Sequence, residues 1–230
     1  MVLEKAVRAI PDRLVSLLVA KQRLDSLADL TAELAADTPV YVASQPVMDA
    51  IVGFPIHRGI LGLGRRSEYD VTTLLAGLPA RALVVGLSAI ANHDNIGGVF
   101  RNAAAFGADA VVLDADCCDP LYRKAIRVSV GATLTVPFAR LQRGADMAET
   151  LKAAGLEVLA LSPRGEVELY DLAPPERVAA LFGAEGPGLA DEVLARARTV
   201  RIAMSGGFDS LNVATTSGLV LHHLARSRQI

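Results

Sequence analysis

The sequence predicts an α/β protein, a mostly parallel sheet covered by helices and preceded by a smaller α/β unit. Three observations predict it. From residue 82 onward, short Val/Leu/Ile/Ala runs alternate with segments of helical spacing, the order of parallel strands joined by crossover helices. Apolar residues make up 52% of the 230, while aromatics are 4% and tryptophan is absent, so the core is aliphatic and the chain is not generally disordered. Three loops rich in glycine, asparagine and small residues each follow a strand-like run.

Each element follows in order. A helix-like opening leads to a strand at 14–19, a helical stretch over 24–36, a strand at 40–43 and a short helix at 46–52 that stops at Gly53. These make a small unit over residues 1–64. Residues 65–80 read as the connection: polar Arg65-Arg66-Ser67-Glu68, a helical 71–76, then Leu78-Pro79-Ala80. The larger unit spans 81–230. Its strands are expected at 82–87, 110–113, 157–161, 178–182 and 200–204, and its helices at 97–106, 146–154, 189–197 and 210–226.

Charge and cysteine content narrow the function classes. The 23 basic and 25 acidic residues give a net charge of −2, which removes the usual electrostatic sign of a nucleic-acid binder. Affinity for a polyanion must then come from local patches, a partner chain or a specific pocket. His57-Arg58, Arg65-Arg66 and Arg123-Lys124 with Arg127 are the local basic clusters, and a solvated charged face accounts for each equally well. Cys117 and Cys118 are adjacent, a poor geometry for a structural disulfide, so a reduced, cytoplasmic setting is expected. His57, His93, His222 and His223 have no metal-ligand spacing, so no metal is expected. No apolar run reaches the roughly 18 residues of a membrane span, and Glu4 and Pro11 do not suit a leader peptide.

The chemistry is sought in the three loops. In Asn92-His93-Asp94-Asn95-Ile96-Gly97-Gly98-Val99-Phe100-Arg101, side-chain amides and a helix start suit an anion or a ribose. Arg101 is placed one turn into that helix, pointing back at the loop. An ordinary capped helix with a surface arginine fits the segment equally well. Gly183-Ala184-Glu185-Gly186-Pro187-Gly188-Leu189 lets backbone amides approach a ligand around one glutamate, although alone it reads as a plain strand-to-helix turn. Ile202-Ala203-Met204-Ser205-Gly206-Gly207 precedes Ser210-Leu211-Asn212-Val213, where Ser210 suits a helix cap. In a parallel sheet all three loops leave the carboxyl ends of strands, where open α/β sheets bind ligands. Neither the dinucleotide nor the phosphate-loop fingerprint is present.

These loops resemble the three ordered motifs of the SpoU (TrmH) family of RNA 2′-O-ribose methyltransferases, of the SPOUT superfamily. Asn95-x-Gly97-x-x-x-Arg101-x-Ala103 is similar to the first motif, Gly183-Ala184-Glu185-Gly186-x-Gly188-Leu189 to the second, and Ile202-x-Met204 with Ser210-Leu211-Asn212-Val213 to the third. Asp119-Pro120 and Arg127-x-Ser129-x-Gly131-Ala132 resemble a further family stretch. Upstream, Val40-Tyr41-Val42-Ala43, Ile51-x-Gly53-Phe54 and His57-Arg58-Gly59 look like the end of an L30e-like RNA substrate-binding domain. That domain ordinarily starts with about one more strand and helix, so the resemblance implies a copy in which Met1 falls inside the domain.

The resemblance implies a C-terminal trefoil knot, a homodimer and S-adenosylmethionine held in the knot, with ribosomal or transfer RNA as partner and substrate. It implies Arg101, Asn95, Glu185, Ser210 and Asn212 as catalytic residues, and Gly183, Ile202, Leu211, Ser162 and Met204 as cofactor contacts. Departures from the family pattern are His93 and Ala203, each where proline is usual, and Ala214-Thr215-Thr216-Ser217, where small apolar residues are usual. Methyl transfer to a hydroxyl needs alignment and proton removal but no metal. An arginine, with a pKa above about 12, is better suited to gripping a phosphate than to acting as a base. Asn95 is expected to hold Arg101 or the ribose. The alternative function is a non-catalytic RNA-binding scaffold of the same fold.

Overall fold

The computed structural model describes residues 2–67, 69–205 and 210–226. Met1, Glu68, Gly206 and Gly207, given places above, lie outside the described residues. The chain forms two compact units, Met1–Ser67 and Glu68–Ile230.

The first unit contains α1 (Val2–Ala9), β1 (Leu14–Ala20), α2 (Ala28–Ala32), β2 (Val40–Ala43), α3 (Gln45–Val52) and β3 (Ile60–Gly64). β1 lies between β2, to which it is parallel, and β3, to which it is antiparallel. Alternation along β1 sends Leu17 and Val19 into one cluster with Leu27, and Ala20 into another with Met48 and Ile56. The helix expected over 24–36 is broken. Two 3₁₀ turns, Lys21–Arg23 and Asp25–Leu27, precede the five-residue α2. Ser26 donates its hydroxyl to the Arg23 carbonyl at 2.8 Å, a local bond that competes with the helical ladder. β3 escapes the sequence pattern because Gly62 and Gly64 dilute its strand signal.

The second unit contains α4 (Val71–Ala76), β4 (Ala82–Leu87), α5 (His93–Ala105), β5 (Ala110–Leu113), α6 (Arg123–Val128), α7 (Ala132–Thr135) and β6 (Phe138–Arg140), then α8 (Met147–Ala153), β7 (Glu157–Leu161), β8 (Val167–Glu168), β9 (Arg177–Phe182), α9 (Asp191–Leu194), β10 (Arg198–Arg201) and α10 (Val213–Ala225). Among the described residues its seven strands form one sheet in the order β6-β5-β4-β9-β7-β10-β8, and every pairing is parallel. Alternation splits the core in two. Leu83, Val85 and Leu87 pack with Ile96, Val99 and Phe100 of α5 and Val220, Leu221 and Leu224 of α10. Val84 and Leu181 join Leu151 of α8, Leu156 and Leu75 of α4.

Several boundaries differ from expectation for local reasons. β10 begins at Arg198, not at 200, because its backbone ladder with β7 begins at Leu159 and the Arg198 guanidinium is held by Glu157 at 3.1 Å. The helix expected at 189–197 is reduced to α9, since the preceding loop is pinned by a bridge between Ala184 and Gly188 and Ala190 is extended. α5 starts at His93 rather than at 97, because Asn92 caps it by accepting the Asp94 N–H at 2.8 Å. β6 and β8 are only three and two residues long, too short to announce a periodicity.

Candidate active site

Three chain segments converge at the carboxyl ends of β4, β9 and β10. The turn after β4 is fixed by Asp114 at the end of β5. Its carboxylate accepts the Ser88 hydroxyl at 2.7 Å and the Ala89 N–H at 2.8 Å on one oxygen, and the Asp116 and Cys117 N–H groups at 3.0 and 2.9 Å on the other. Ala89 adopts a left-handed φ of 54° there. This buttress delivers the first turn of α5, where Asn95 is buried to 5% exposure. No motif pointed to Asp114; a polar residue directly after an apolar strand was the available signal.

The loop after β9 folds back on itself. The Gly188 N–H donates to the Ala184 carbonyl at 3.0 Å, which brings Gly188 and Leu189 against Gly183. A Cβ on Gly183 would overlap the Gly188 and Leu189 backbone, so only glycine fits. The turn exposes Glu185. At the third segment the sequence placed the cap on Ser210, whereas Asn212 is the cap: its Oδ1 accepts the Ala214 and Thr215 N–H groups at 2.9 and 3.3 Å. The helix therefore begins at Val213, and Ser210 is free of that duty.

The three segments are tied through side chains. Asn95 Nδ2 donates to Glu185 Oε1 at 2.7 Å, and Asn212 Nδ2 donates to Asn95 Oδ1 at 2.8 Å and to Glu185 Oε1 at 3.2 Å. Residues 95, 185 and 212 thus form one closed polar triangle. A carboxylate that accepts from two amides is held in one orientation, ready to accept a further hydrogen bond from a ligand hydroxyl.

Beside the triangle lies a cavity of about 590 Å³. Its wall includes Ser162, Gly183, Ile202, Met204 and Leu211, and also Glu185, Ser210 and Asn212. Leu161, Val200 and Leu189 add apolar surface, while Arg164, Asp191 and Thr216 line it unforeseen by any motif. The turn carrying Ser162 is rigid: Ser162 N donates to the Val200 carbonyl and Gly165 N to the Ser162 carbonyl, both at 3.0 Å.

Arg101 is the outlier. It is the ninth residue of α5, more than two turns from the helix start and not one turn as expected. Six residues from Asn95 on an α-helix correspond to about 9 Å of rise and a different face. Arg101 is exposed, does not line the cavity and has no hydrogen-bond or ion-pair partner among the described residues. Asn95 accordingly holds Glu185, not Arg101. Of the basic clusters, Lys124 is engaged by Asp94 at 2.6 Å. Cys117 and Cys118 are both free thiols; burial pushes the Cys117 thiol up to about 12.

Comparison with known proteins places this geometry in context. The SpoU rRNA Methylase family model matches residues 82–222. An uncharacterized tRNA/rRNA methyltransferase of Mycobacterium bovis is 43% identical over 208 residues, covering 87% of this chain and 71% of the relative. The 23S rRNA (guanosine-2′-O-)-methyltransferase RlmB of Photobacterium profundum is 30% identical over 236 residues, covering 98% and 95%. Among solved structures, the SpoU methyltransferase AviRb of Streptomyces viridochromogenes in complex with the cofactor AdoMet superposes with a TM-score of 0.83 at 20% identity, over 99% of this chain and 88% of that one, a likeness of fold.

Proposed function

This chain belongs to the SpoU rRNA methylase family, and from that premise we propose that it transfers a methyl group from S-adenosylmethionine to a ribose 2′-hydroxyl of ribosomal or transfer RNA. The observation that carries the reading is the Asn95–Glu185–Asn212 triangle standing beside the cavity. The cavity suits the cofactor on its own chemistry. Its volume falls within the range of small-molecule sites, Leu161, Ile202 and Leu211 offer apolar surface to a purine, and the close backbone at Gly183 offers amides. When bound there, S-adenosylmethionine supplies an electrophilic methyl group on a sulfonium.

The chain's own residues then do the positioning. Gly183, Ile202, Leu211, Ser162 and Met204 hold the cofactor. Glu185, oriented by Asn95 and Asn212, accepts the hydrogen bond of the ribose hydroxyl and fixes its lone pair for in-line attack. Ser210, released from capping, offers a second hydroxyl to the target nucleotide. Arg101 grips a flanking phosphate. Because Arg101 stands away from its own cavity, a homodimer in which one protomer's Arg101 serves its partner's site accounts for both facts.

The remaining assignments are parts of the same proposal. Residues 1–64 act as the L30e-like RNA-recognition domain and 81–230 as the catalytic domain; of the 65–80 connection, the part from α4 onward packs into the core of the second unit rather than standing as a free linker. The strand order supports the trefoil knot: β10 lies between β7 and β8, and the segment joining those strands crosses it. Gly165 sits so close to β10 that a Cβ would come within 2.6 Å of Arg201 N. The two free cysteines fit a reduced cytoplasm.

The test is transfer of tritiated methyl from S-adenosylmethionine to total RNA, followed by nuclease digestion and mass spectrometry. 2′-O-methylated nucleosides are expected. Methylation of a base, or saturable cofactor binding with no transfer to any RNA, overturns the reading; the latter outcome would indicate the scaffold function.

A further inference from the structure

We infer that Tyr122, braced by His93, is a platform on which the RNA substrate stacks one unpaired base, an inference that rests on the RNA methyltransferase reading. His93 opens α5 two residues before Asn95, and Tyr122 immediately precedes α6. The two rings lie 4.4 Å apart at an interplanar angle of 45°. Tyr122 is nevertheless 55% exposed. One part of the phenol is therefore held by His93 while the rest faces solvent, in a chain with only ten aromatic residues of the Phe and Tyr type.

The turn that presents the ring is ordered by its own hydrogen bonds. Asp119 Oδ1 accepts the Leu121 N–H at 2.9 Å, the Asp119 carbonyl accepts the Tyr122 N–H at 3.1 Å, and Lys124 of α6 bonds Asp94 of α5 at 2.6 Å. The Asp119 bonds shape the turn that presents Tyr122, and the Lys124–Asp94 bond ties the two elements that carry the rings. Arg123 and Arg127 follow on α6 four residues apart, on one helical face, and Arg127 has no partner among the described residues. An exposed aromatic ring at the start of a helix that carries arginines is a combination suited to a splayed nucleotide: the ring takes the base and a cation its phosphate. Net charge is not needed for this, which reconciles RNA binding with the overall −2.

The probe is a short single-stranded oligoribonucleotide containing 2-aminopurine, titrated with the full chain, alongside total RNA as methyl acceptor. Stacking quenches 2-aminopurine emission. Tyr122→Ala is expected to remove the quench, to weaken oligonucleotide binding about 5- to 150-fold and to raise the KM for RNA. The Kd for S-adenosylmethionine and the melting temperature are expected to stay near wild type, and Tyr122→Phe, which keeps the ring, to restore the quench. Unchanged quenching and affinity in Tyr122→Ala overturns the platform, as does an equal loss in Tyr122→Phe. Quenching that depends on Tyr122 in a protein that transfers no methyl group overturns the enzyme reading while leaving the platform in place.

Discussion

Asn212 does two jobs that two substitutions can separate. It caps α10 through Oδ1, and it donates through Nδ2 to Asn95 and Glu185. Asn212→Ala removes both. Loss of an N-cap costs about 1 kcal/mol, and the two partly exposed Nδ2 bonds add roughly 0.5–1.5 kcal/mol at most. At about 2–4 °C per kcal/mol for a domain of this size, the melting temperature should fall by about 3–10 °C. Asn212→Asp keeps the cap, since aspartate caps as well as asparagine. It deletes the donor and sets a second carboxylate about where an amide now lies 3.2 Å from Glu185 Oε1. Like charges at that distance raise the pKa of the pair in the folded state above its unfolded value. The sign follows: the folded state binds more protons, so this variant loses stability as pH rises through the raised pKa and regains it below. Asn212→Asp should therefore melt close to wild type at pH 5 and clearly lower at pH 8, while Asn212→Ala shows a deficit of similar size at both. Both should lose methyl transfer, by roughly 10-fold or more if the oriented carboxylate accepts the hydrogen bond of the reacting hydroxyl. Differential scanning fluorimetry and a tritium-transfer assay read the two effects separately. Wild-type transfer by Asn212→Asp at pH 8 would refute the role of the triangle, and a pH-independent deficit would refute its electrostatic basis.

Gly183→Ala has no room for its methyl group against the Gly188–Leu189 backbone, so the loop must shift; calorimetry should find S-adenosylmethionine binding weakened at least 10-fold in a protein that still melts cooperatively. Arg101→Ala should abolish transfer while leaving cofactor binding intact, and mixing it with an Asn212→Ala chain should recover part of the activity in heterodimers, which subunit-exchange assays measure. Cys117, whose thiol is pushed up to about 12 by burial, should resist iodoacetamide at pH 8, with mass spectrometry finding label on Cys118 first. Asp70 and Asp146 cap α4 and α8, and the Thr73 and Glu149 N–H bonds hold their carboxyls below the ordinary range. Their contribution is present above the unfolded value near 3.8 and lost as pH falls through the folded one, so acid titration by circular dichroism should place part of the unfolding below pH 4.

What the sequence made legible follows from what each signal averages over. The strands of the larger unit are readable because a parallel sheet buried on both faces selects continuous runs: Ala82–Leu87 is buried at every position, and such a run survives any error of one or two residues in its ends. β6, β8 and β3 are not readable, since two or three residues, or glycines in alternation, leave no period to detect. The same distinction governs the site. A recognisable loop marks its own residues, and the family resemblance picks Asn95, Glu185 and Asn212 out of three such loops. What joins them is invisible in one dimension, because residues 90 and 117 positions apart meet only through the strand order. Arg101 shows the opposite case, since it lies more than two turns into α5 and not one. It shares a motif with Asn95, and the family resemblance implied a shared task, yet a helix turns six residues onto another face. Asn95 and Arg101 are thus neighbours in the motif but not in the monomer. Arg101 is exposed and has no partner among the described residues, which agrees with the proposal that it works outside its own cavity. In the proposed homodimer it does that work at the partner's site, and on that proposal the motif describes the assembly more faithfully than it describes either chain.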